Sequence, residues 1–449
     1  MATTSVDTRT LINENPFGHF QIKIFLICFL AVAIDGFDMQ VIAVVASSIG
    51  ESLHLQPTTL GIVIMSGQLG VMIGAIGLSS LADRMGRKRL MIWSCIIFGI
   101  FSLLTAFAKT VPELIVLRIA AGVGMGAIGP IALAYSAEYA PNRFKASIPS
   151  WIWGAGVPIG GVVAGLSAIW LLPLYGWQSV FAVAGFATLS IALILWVGVP
   201  ESLAFLSTRS DGQPRMRAIA KRISPNLPPD IHIYSSDAKV NTKTSGAPVT
   251  HLFRGGRAVG TVLVWLAFFL VYGVIVFFIS WIPTLIKLAT GSTGALGTSL
   301  AFFNIGSLVA TIVIGRLIDR FGYSRVLVPS FAFIALSMLT VGLTINAPLW
   351  MLLCAITALG AFSGSTCGGL MAFAANVYPD EIRSTGVGAA YGVGGRLGTF
   401  VAPILGGVLV EAHWLPSTIC YAVAAPMLLG ALAMLLLQRQ ESFRVERRT

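Results

Sequence analysis

Apolar positions in this chain come in runs too long for the core of a water-soluble domain. Ile24 to Ile49 has few polar interruptions, and runs of similar length recur to the C-terminal end, separated by short polar segments. A helix needs roughly 20 mostly apolar residues to cross a hydrocarbon core about 30 Å thick. The pattern therefore predicts an all-α membrane fold of twelve transmembrane helices, at 22–47, 60–81, 90–108, 112–136, 147–170, 179–199, 258–283, 294–317, 326–345, 348–374, 385–410 and 415–437. Gly and Pro are frequent within these spans, as helix packing in lipid favours. Composition agrees, since 56% of the 449 residues are hydrophobic and 10% charged, where a soluble domain carries about 25% charged. Residues 1–20 are polar and the first apolar run is of full span length, so no cleavable signal is expected.

The charges orient the spans. Of the 29 Lys and Arg, only Lys109 and Lys287 fall in loops on one side, and only Arg118 and Arg396 fall inside spans. All the others flank the opposite ends, which places both termini in the cytoplasm. The net charge of +11 is thus a topology signal, and its scatter over short loops excludes a nucleic-acid surface. The five cysteines fall in apolar runs without metal or disulfide spacing and read as packing residues. No metal or cofactor is expected.

The chain also repeats itself. "LADRMGRKR" (81–89) follows the second span and "GRLIDRFGYSR" (315–325) the eighth, with Asp83, Arg84 and Gly86 aligned on Asp319, Arg320 and Gly322. "APNRFKAS" (140–147) is echoed by "YPDEIRST" (378–385), and "PES" (200–202) by "QES" (440–442). Two six-span halves follow, 21–200 and 257–437, between a tail (1–20) and a tail (438–449). The linker between them, 201–256, has the composition of surface loop or disorder. Such duplication is a transporter architecture. Over nearly its whole length the chain resembles the major facilitator superfamily, whose loop pattern G-x-L-A-D-R-x-G-R-K stands here as "SSLADRMGRK", with Ser79 at the first glycine. Within it, "DGFD" (35–38), "RIAAGVGMGAIGP" (118–130), "EYAPNR" (138–143), "WIPT" (281–284) and "RSTGVGAAYGVGGRLG" (383–398) look like the aromatic acid:proton symporters of the 4-hydroxybenzoate and benzoate type. Sialate, lactate and sugar symporters share weaker forms of these motifs.

Four charges lie inside the bilayer, where each costs about 2.5–3.5 kcal/mol on insertion scales. Asp35 and Asp38 share one face of the first span. Asp38 lies roughly 21 Å above its inner end, and Arg118 about 9 Å below the outer end of the fourth, so their depths coincide. Either carboxylate can pair with Arg118, and pairing makes such charges tolerable. Burial favours a neutral carboxyl while a nearby guanidinium favours the charged one, so Asp35, Asp38 and Arg118 form a candidate proton site. Arg396, in the eleventh span, has no deep carboxylate in its own half, and its planar fork suits a substrate carboxylate. Phe37, Tyr135, Trp281, Phe302, Phe303 and Tyr391 are candidate ring contacts, with Asn304 as a polar one, although core or lipid packing is the commoner role of such residues. At the cytoplasmic face Asp83, Arg84, Arg87, Glu138, Arg143, Asp319, Arg320 and Arg383 are candidate gate residues. Glu138 is expected to pair with Arg84 or Arg143, or to stand as a solvated loop charge.

The resemblance implies proton-coupled import of a monocyclic aromatic carboxylate by alternating access, feeding aromatic-hydrocarbon catabolism, by a monomer in the bacterial inner membrane. Its partners are then protons, a small aromatic acid and the lipid bilayer. Another small organic acid or a sugar is the alternative substrate, and a sensor of transporter fold is a further one. An intramembrane enzyme is excluded because His19, His54, His232, His251 and His413 all lie in tails or loops.

Overall fold

The computed structural model describes residues 5–439 apart from 146, 210, 226, 229–230, 236–248, 255, 292–293 and 379–381; for Ser79, Ser80, Asp83, Gly294, Ile312, Arg383, Ser384 and Arg439 it describes backbone alone. Among the described residues eleven helices are long and apolar enough to cross a membrane. Spans 1 to 4 are His19–Ser52, Pro57–Met85, Arg87–Thr105 and Val111–Tyr139. The next helix, Ser147–Gly198, has 52 residues, about 78 Å at 1.5 Å per residue, which exceeds twice the hydrocarbon core. It breaks at Gly176 (φ 72°, ψ 179°), a conformation open to glycine. Residues 147–175 are thus span 5 and 177–198 span 6, which gives twelve helical segments of spanning length among the described residues. Spans 7 to 10 are Ala258–Thr290, Gly294–Phe321, Tyr323–Thr344 and Leu349–Val377. Span 11 runs from Arg383 to Glu411 through a π-helical segment, Ala390–Gly395, and span 12 is Pro416–Arg439. Several spans outrun the apolar pattern, because a helix continues into the headgroup layer where its polar ends are wetted.

The repeat is visible in the backbone. Spans 2 and 3 are joined through Gly86 (φ 94°), spans 8 and 9 through Gly322 (φ 84°). At both points a single residue reverses the chain. Packing repeats as well. A Cβ at Gly70 or Gly74 would strike the backbone of span 4 at Ile119 and Val123, and one at Gly306 would strike span 10 at Thr357. Small residues of this kind let lipid-embedded helices approach closely.

The halves meet on the outer side. Gly61 packs on Pro403 and Gly407 on Pro57, joining spans 2 and 11, while Gly165 meets Gly297 between spans 5 and 8. Lys287 pairs with Glu51 at 2.5 Å, and the Thr58 amide donates to Glu411 Oε2 at 3.3 Å. Towards the ends of spans 2 and 11 that lie on the side of the chain's termini the two part, and a Cβ at Gly77, Gly388 or Gly392 would meet open space.

The linker is more ordered than its composition suggests. Gln213–Ile223 is a helix that buries Met216, Ile219 and Ala220, and His232–Tyr234 pairs in parallel with Ser5–Asp7. In between, Thr8–Glu14 buries Leu11 and Ile12. A few apolar residues spaced for one helix face hold this cap, although the segment is polar on average.

Candidate functional site

Of the two partners open to Arg118, the structure selects Asp38. The Arg118 Nη1 donates to Asp38 Oδ1 at 3.2 Å and Oδ2 at 3.0 Å, with 4% of the arginine and 1% of the aspartate exposed. Span 6 supplies Phe181, whose ring lies 5.4 Å under the guanidinium. Span 2 supplies room, because a Cβ at Gly67 would stand 3.2 Å from Nη2. Four spans thus enclose one ion pair, and such a pair is costly to break from one side only.

Asp35, one turn nearer the cytoplasm, does not reach Arg118. It is buried, and its Oδ1 has no hydrogen-bond partner among the described residues. Gly36 beside it brings the backbone of span 5 at Val157 against span 1, and the Trp153 ring and Gly129 of span 4 close the other side. Asp38 and, from the opposite half, Arg396 are the charged groups near enough to bear on Asp35.

The glycines around Arg396 shape its setting. Gly394, Gly395 and Gly398 press span 11 against Trp265, Tyr272 and Phe269 of span 7. The π-helical turn, a feature often found at functional sites, brings Tyr391 under Arg396, with the guanidinium carbon 5.1 Å from the ring centroid. Tyr272 meets Tyr391 edge-on at 5.2 Å and stacks on Phe268 at 6.0 Å. Cys367 of span 10 adjoins the Tyr272 hydroxyl. Among the described residues the Arg396 side chain has no ion pair or hydrogen bond. A half-buried guanidinium on a ring-lined wall binds an anion bidentately and leaves a ring face for stacking.

The other predicted ring contacts scatter. Phe37 is buried in the core, and Phe303 stacks on Phe278 at 4.7 Å. Phe302 is exposed. Trp281 donates from Nε1 to the Pro403 carbonyl at 2.9 Å, a seam between spans 7 and 11. Tyr135 is buried near the end of span 4, its hydroxyl donating to the Pro200 carbonyl at 2.6 Å. Asn304 is engaged with a residue that sequence reasoning passed over. Its Nδ2 donates to Gln40 Oε1 at 2.7 Å, and Gln40 Nε2 donates back to Oδ1 at 3.1 Å. This buried double bond clasps span 1 to span 8. Gln40, Tyr272 and Cys367 are all polar positions within apolar runs, and only their number hid them.

Among the predicted gate residues Glu138 pairs with Arg87, in place of the expected Arg84 or Arg143. Arg84 and Arg143 are exposed, and Arg143 lies over Phe144. Arg87 leads span 3, beside the end of span 4, and also donates to the Ala134 carbonyl at 3.1 Å. Ser202 donates to Glu138 at 2.9 Å. Glu201 accepts the Lys88 and Ser202 amides, both at 2.9 Å, so the "PES" motif locks spans 3, 4 and 6 together. Asp319 and Arg320 are exposed without an ion pair among the described residues. The side chains of Asp83 and Arg383 lie outside the described set.

The model of the Major Facilitator Superfamily matches residues 28–296 and 264–448. The chain is 31% identical over 430 residues to the gallate transporter of Pseudomonas putida, covering 96% of this chain and 94% of that one. It is 29% identical over 436 residues to the 4-hydroxybenzoate transporter PcaK of Acinetobacter baylyi, with 96% and 94% covered. Among solved structures it is similar to the inward open xylose transporter XylE of E. coli, with a TM-score of 0.73 at 18% identity over 92% of this chain and 96% of that one.

Proposed function

The chain belongs to the major facilitator superfamily, and from that premise we propose that it imports a monocyclic aromatic carboxylate of the benzoate and hydroxybenzoate class together with protons, by alternating access. The observation that carries the reading is Arg396 lying on Tyr391, unneutralised within its own half and open to an anion. The printed names of the relatives, transporters of gallate and 4-hydroxybenzoate, support the substrate class. A sugar or a hydroxy acid fits less well, because the two buried amides near the site, Gln40 and Asn304, are occupied by each other. We place the protein in the bacterial inner membrane as a monomer with both termini cytoplasmic, supported by the distribution of Lys and Arg.

The proton reading follows from the charges. Arg396 favours the charged form of Asp35, so an anion on Arg396 weakens that attraction and favours protonation of Asp35 as substrate arrives. When substrate leaves toward the cytoplasm the attraction returns and the proton follows. Asp38 and Arg118 keep the neighbouring charge constant meanwhile.

Binding to purified protein tests the anion site. Arg396→Lys keeps the charge but loses the fork, so benzoate affinity should fall, roughly tenfold for about 1.4 kcal/mol. Arg396→Ala should abolish binding, since the anion then enters a desolvated site without a partner. Benzamide, with the same ring and no charge, should bind wild type poorly. Unchanged benzoate affinity in both variants would make Arg396 structural.

A further inference from the structure

Two cavities lie on the bilayer-facing side of spans 3 and 6, away from the transport path. One, about 480 Å³, sits where the cytoplasmic ends of these spans meet the linker helix Gln213–Ile223. Arg215, Ala218, Ile219 and Arg222 of that helix all line it. Their i, i+3, i+4, i+7 spacing is a single helix face, so the helix turns two guanidiniums into one space. Arg89 of span 3 is the third. Among the described residues none of the three has an ion pair, and Arg222 is held over the Phe20 ring at 5.8 Å. The carboxylate within reach, Glu201, accepts the Lys88 and Ser202 amides, and Lys88 Nζ is taken by the Trp196 carbonyl at 2.7 Å. The cavity is therefore strongly positive, with Lys88, Arg89, Arg215 and Arg222 against the single carboxylate of Glu201 among its lining residues.

The second cavity, about 490 Å³, shares Arg89, Ile92 and Trp196 with the first. It continues up the membrane face between spans 3 and 6, lined by Trp93, Ile96, Leu189 and Leu193. Trp93, Leu193 and Trp196 are all more than half exposed. A polar basin at headgroup depth thus opens into an apolar groove at acyl-chain depth, with two Trp at the boundary where amphipathic rings settle. We propose that this composite site binds one anionic glycerophospholipid of the cytoplasmic leaflet, its phosphate on Arg89, Arg215 and Arg222 and an acyl chain along the groove. A soluble anion would fill the basin but leave the groove unexplained, and a zwitterionic lipid would leave the guanidiniums without a net counter-charge. Basic pockets on the cytoplasmic side of helix pairs are suited to such headgroups. The site does not depend on which acid the protein carries.

Native mass spectrometry of the delipidated full chain, offered equimolar phosphatidylglycerol and phosphatidylcholine, tests it. The wild type should retain one phosphatidylglycerol in preference to phosphatidylcholine by about tenfold or more. The variant Arg89→Gln/Arg215→Gln/Arg222→Gln should lose that preference. If the triple variant folds poorly, Arg215→Gln/Arg222→Gln alters only the linker helix and should lose most of it. Glycerol 3-phosphate, which has the headgroup charge and no chains, should leave the melting temperature unchanged while phosphatidylglycerol raises it. Equal retention of both lipids by the wild type overturns the proposal without any variant. So does an undiminished preference in the folded variants, and a shift by glycerol 3-phosphate equal to that of the lipid would make the basin a free-anion site instead.

Discussion

The clasp between Gln40 and Asn304 sets how firmly the outer side stays shut. Its two reciprocal bonds, 2.7 and 3.1 Å, are buried and join span 1 to span 8. Gly161 of span 5 leaves the space, since a Cβ there would lie 2.5 Å from Asn304 Nδ2. Outward opening separates these halves and lets water replace both bonds. In Asn304→Leu the closed state keeps a buried, unsatisfied Gln40 amide, at about 1–3 kcal/mol, while the open state wets it. Each 1.4 kcal/mol is tenfold, so the outward population should rise by roughly 5- to 150-fold. Gln40→Leu should act alike. The double Leu variant removes both amides, and its shift should be much smaller than the sum of the single shifts, a coupling of about 0.5–3 kcal/mol.

The assay reads the outer ends directly. Glu51 and Lys287 touch at 2.5 Å across the same interface, so spin labels at Glu51→Cys and Lys287→Cys, with the exposed Cys354 replaced by Ser, report closure as a short distance. Single clasp variants should move weight to a longer distance that substrate or pH alters. Distributions identical to wild type in both single variants, or single and double shifts that add, would refute the clasp as a gate.

Two further predictions concern the carboxylates. Arg118→Ala leaves Asp38 buried and unpaired and should destabilise the protein by about 3–5 kcal/mol; adding Asp38→Asn should recover most of the melting temperature but not coupled uptake, and equal melting of single and double variants would count against the pair. Asp35→Asn cannot titrate, so benzoate uptake into proteoliposomes should no longer follow an imposed pH gradient, whereas wild-type accumulation should collapse with a protonophore. Gradient-driven accumulation by Asp35→Asn at the wild-type level would remove this residue from the proton path.

Legibility in the sequence followed physical range. The spans were readable because the bilayer imposes a length on every crossing. The pair between Asp38 and Arg118 was narrowed to two partners by depth alone; choosing between Asp35 and Asp38 needed helix rotation, which the packing of Gly36 on Val157 sets. Tyr135 and Trp281 were misplaced for the same reason, since an aromatic residue in an apolar run gives no sign of which neighbour it faces. Glu138 found Arg87 because the single-residue turn at Gly86 starts span 3 beside the end of span 4, whereas counting along the chain pointed to Arg84 and Arg143. The Gly176 break and the linker helix each rest on few residues within a segment of contrary average, and averaging hides them.

Charge balance in the cavity gives the arrangement its logic. Asp38 and Arg118 neutralise each other within the N-terminal half, which leaves Asp35, whose Oδ1 has no hydrogen-bond partner among the described residues, and Arg396, without an ion pair among them, as the remaining ionisable groups. On the proposed reading, the empty cavity is neutral when both are ionised. A monovalent carboxylate on Arg396 adds one negative charge to a poorly solvated space, and isolated charge there is expensive. One proton on Asp35 restores neutrality. On the proposed reading the loaded and empty cavities are therefore both neutral, and either can be carried through the occluded state. The cavity with substrate but no proton, or with a proton but no substrate, carries an uncompensated charge and is held back. Coupling then needs no dedicated latch between proton and substrate: it follows from placing one carboxylate opposite one guanidinium on two bodies that move apart.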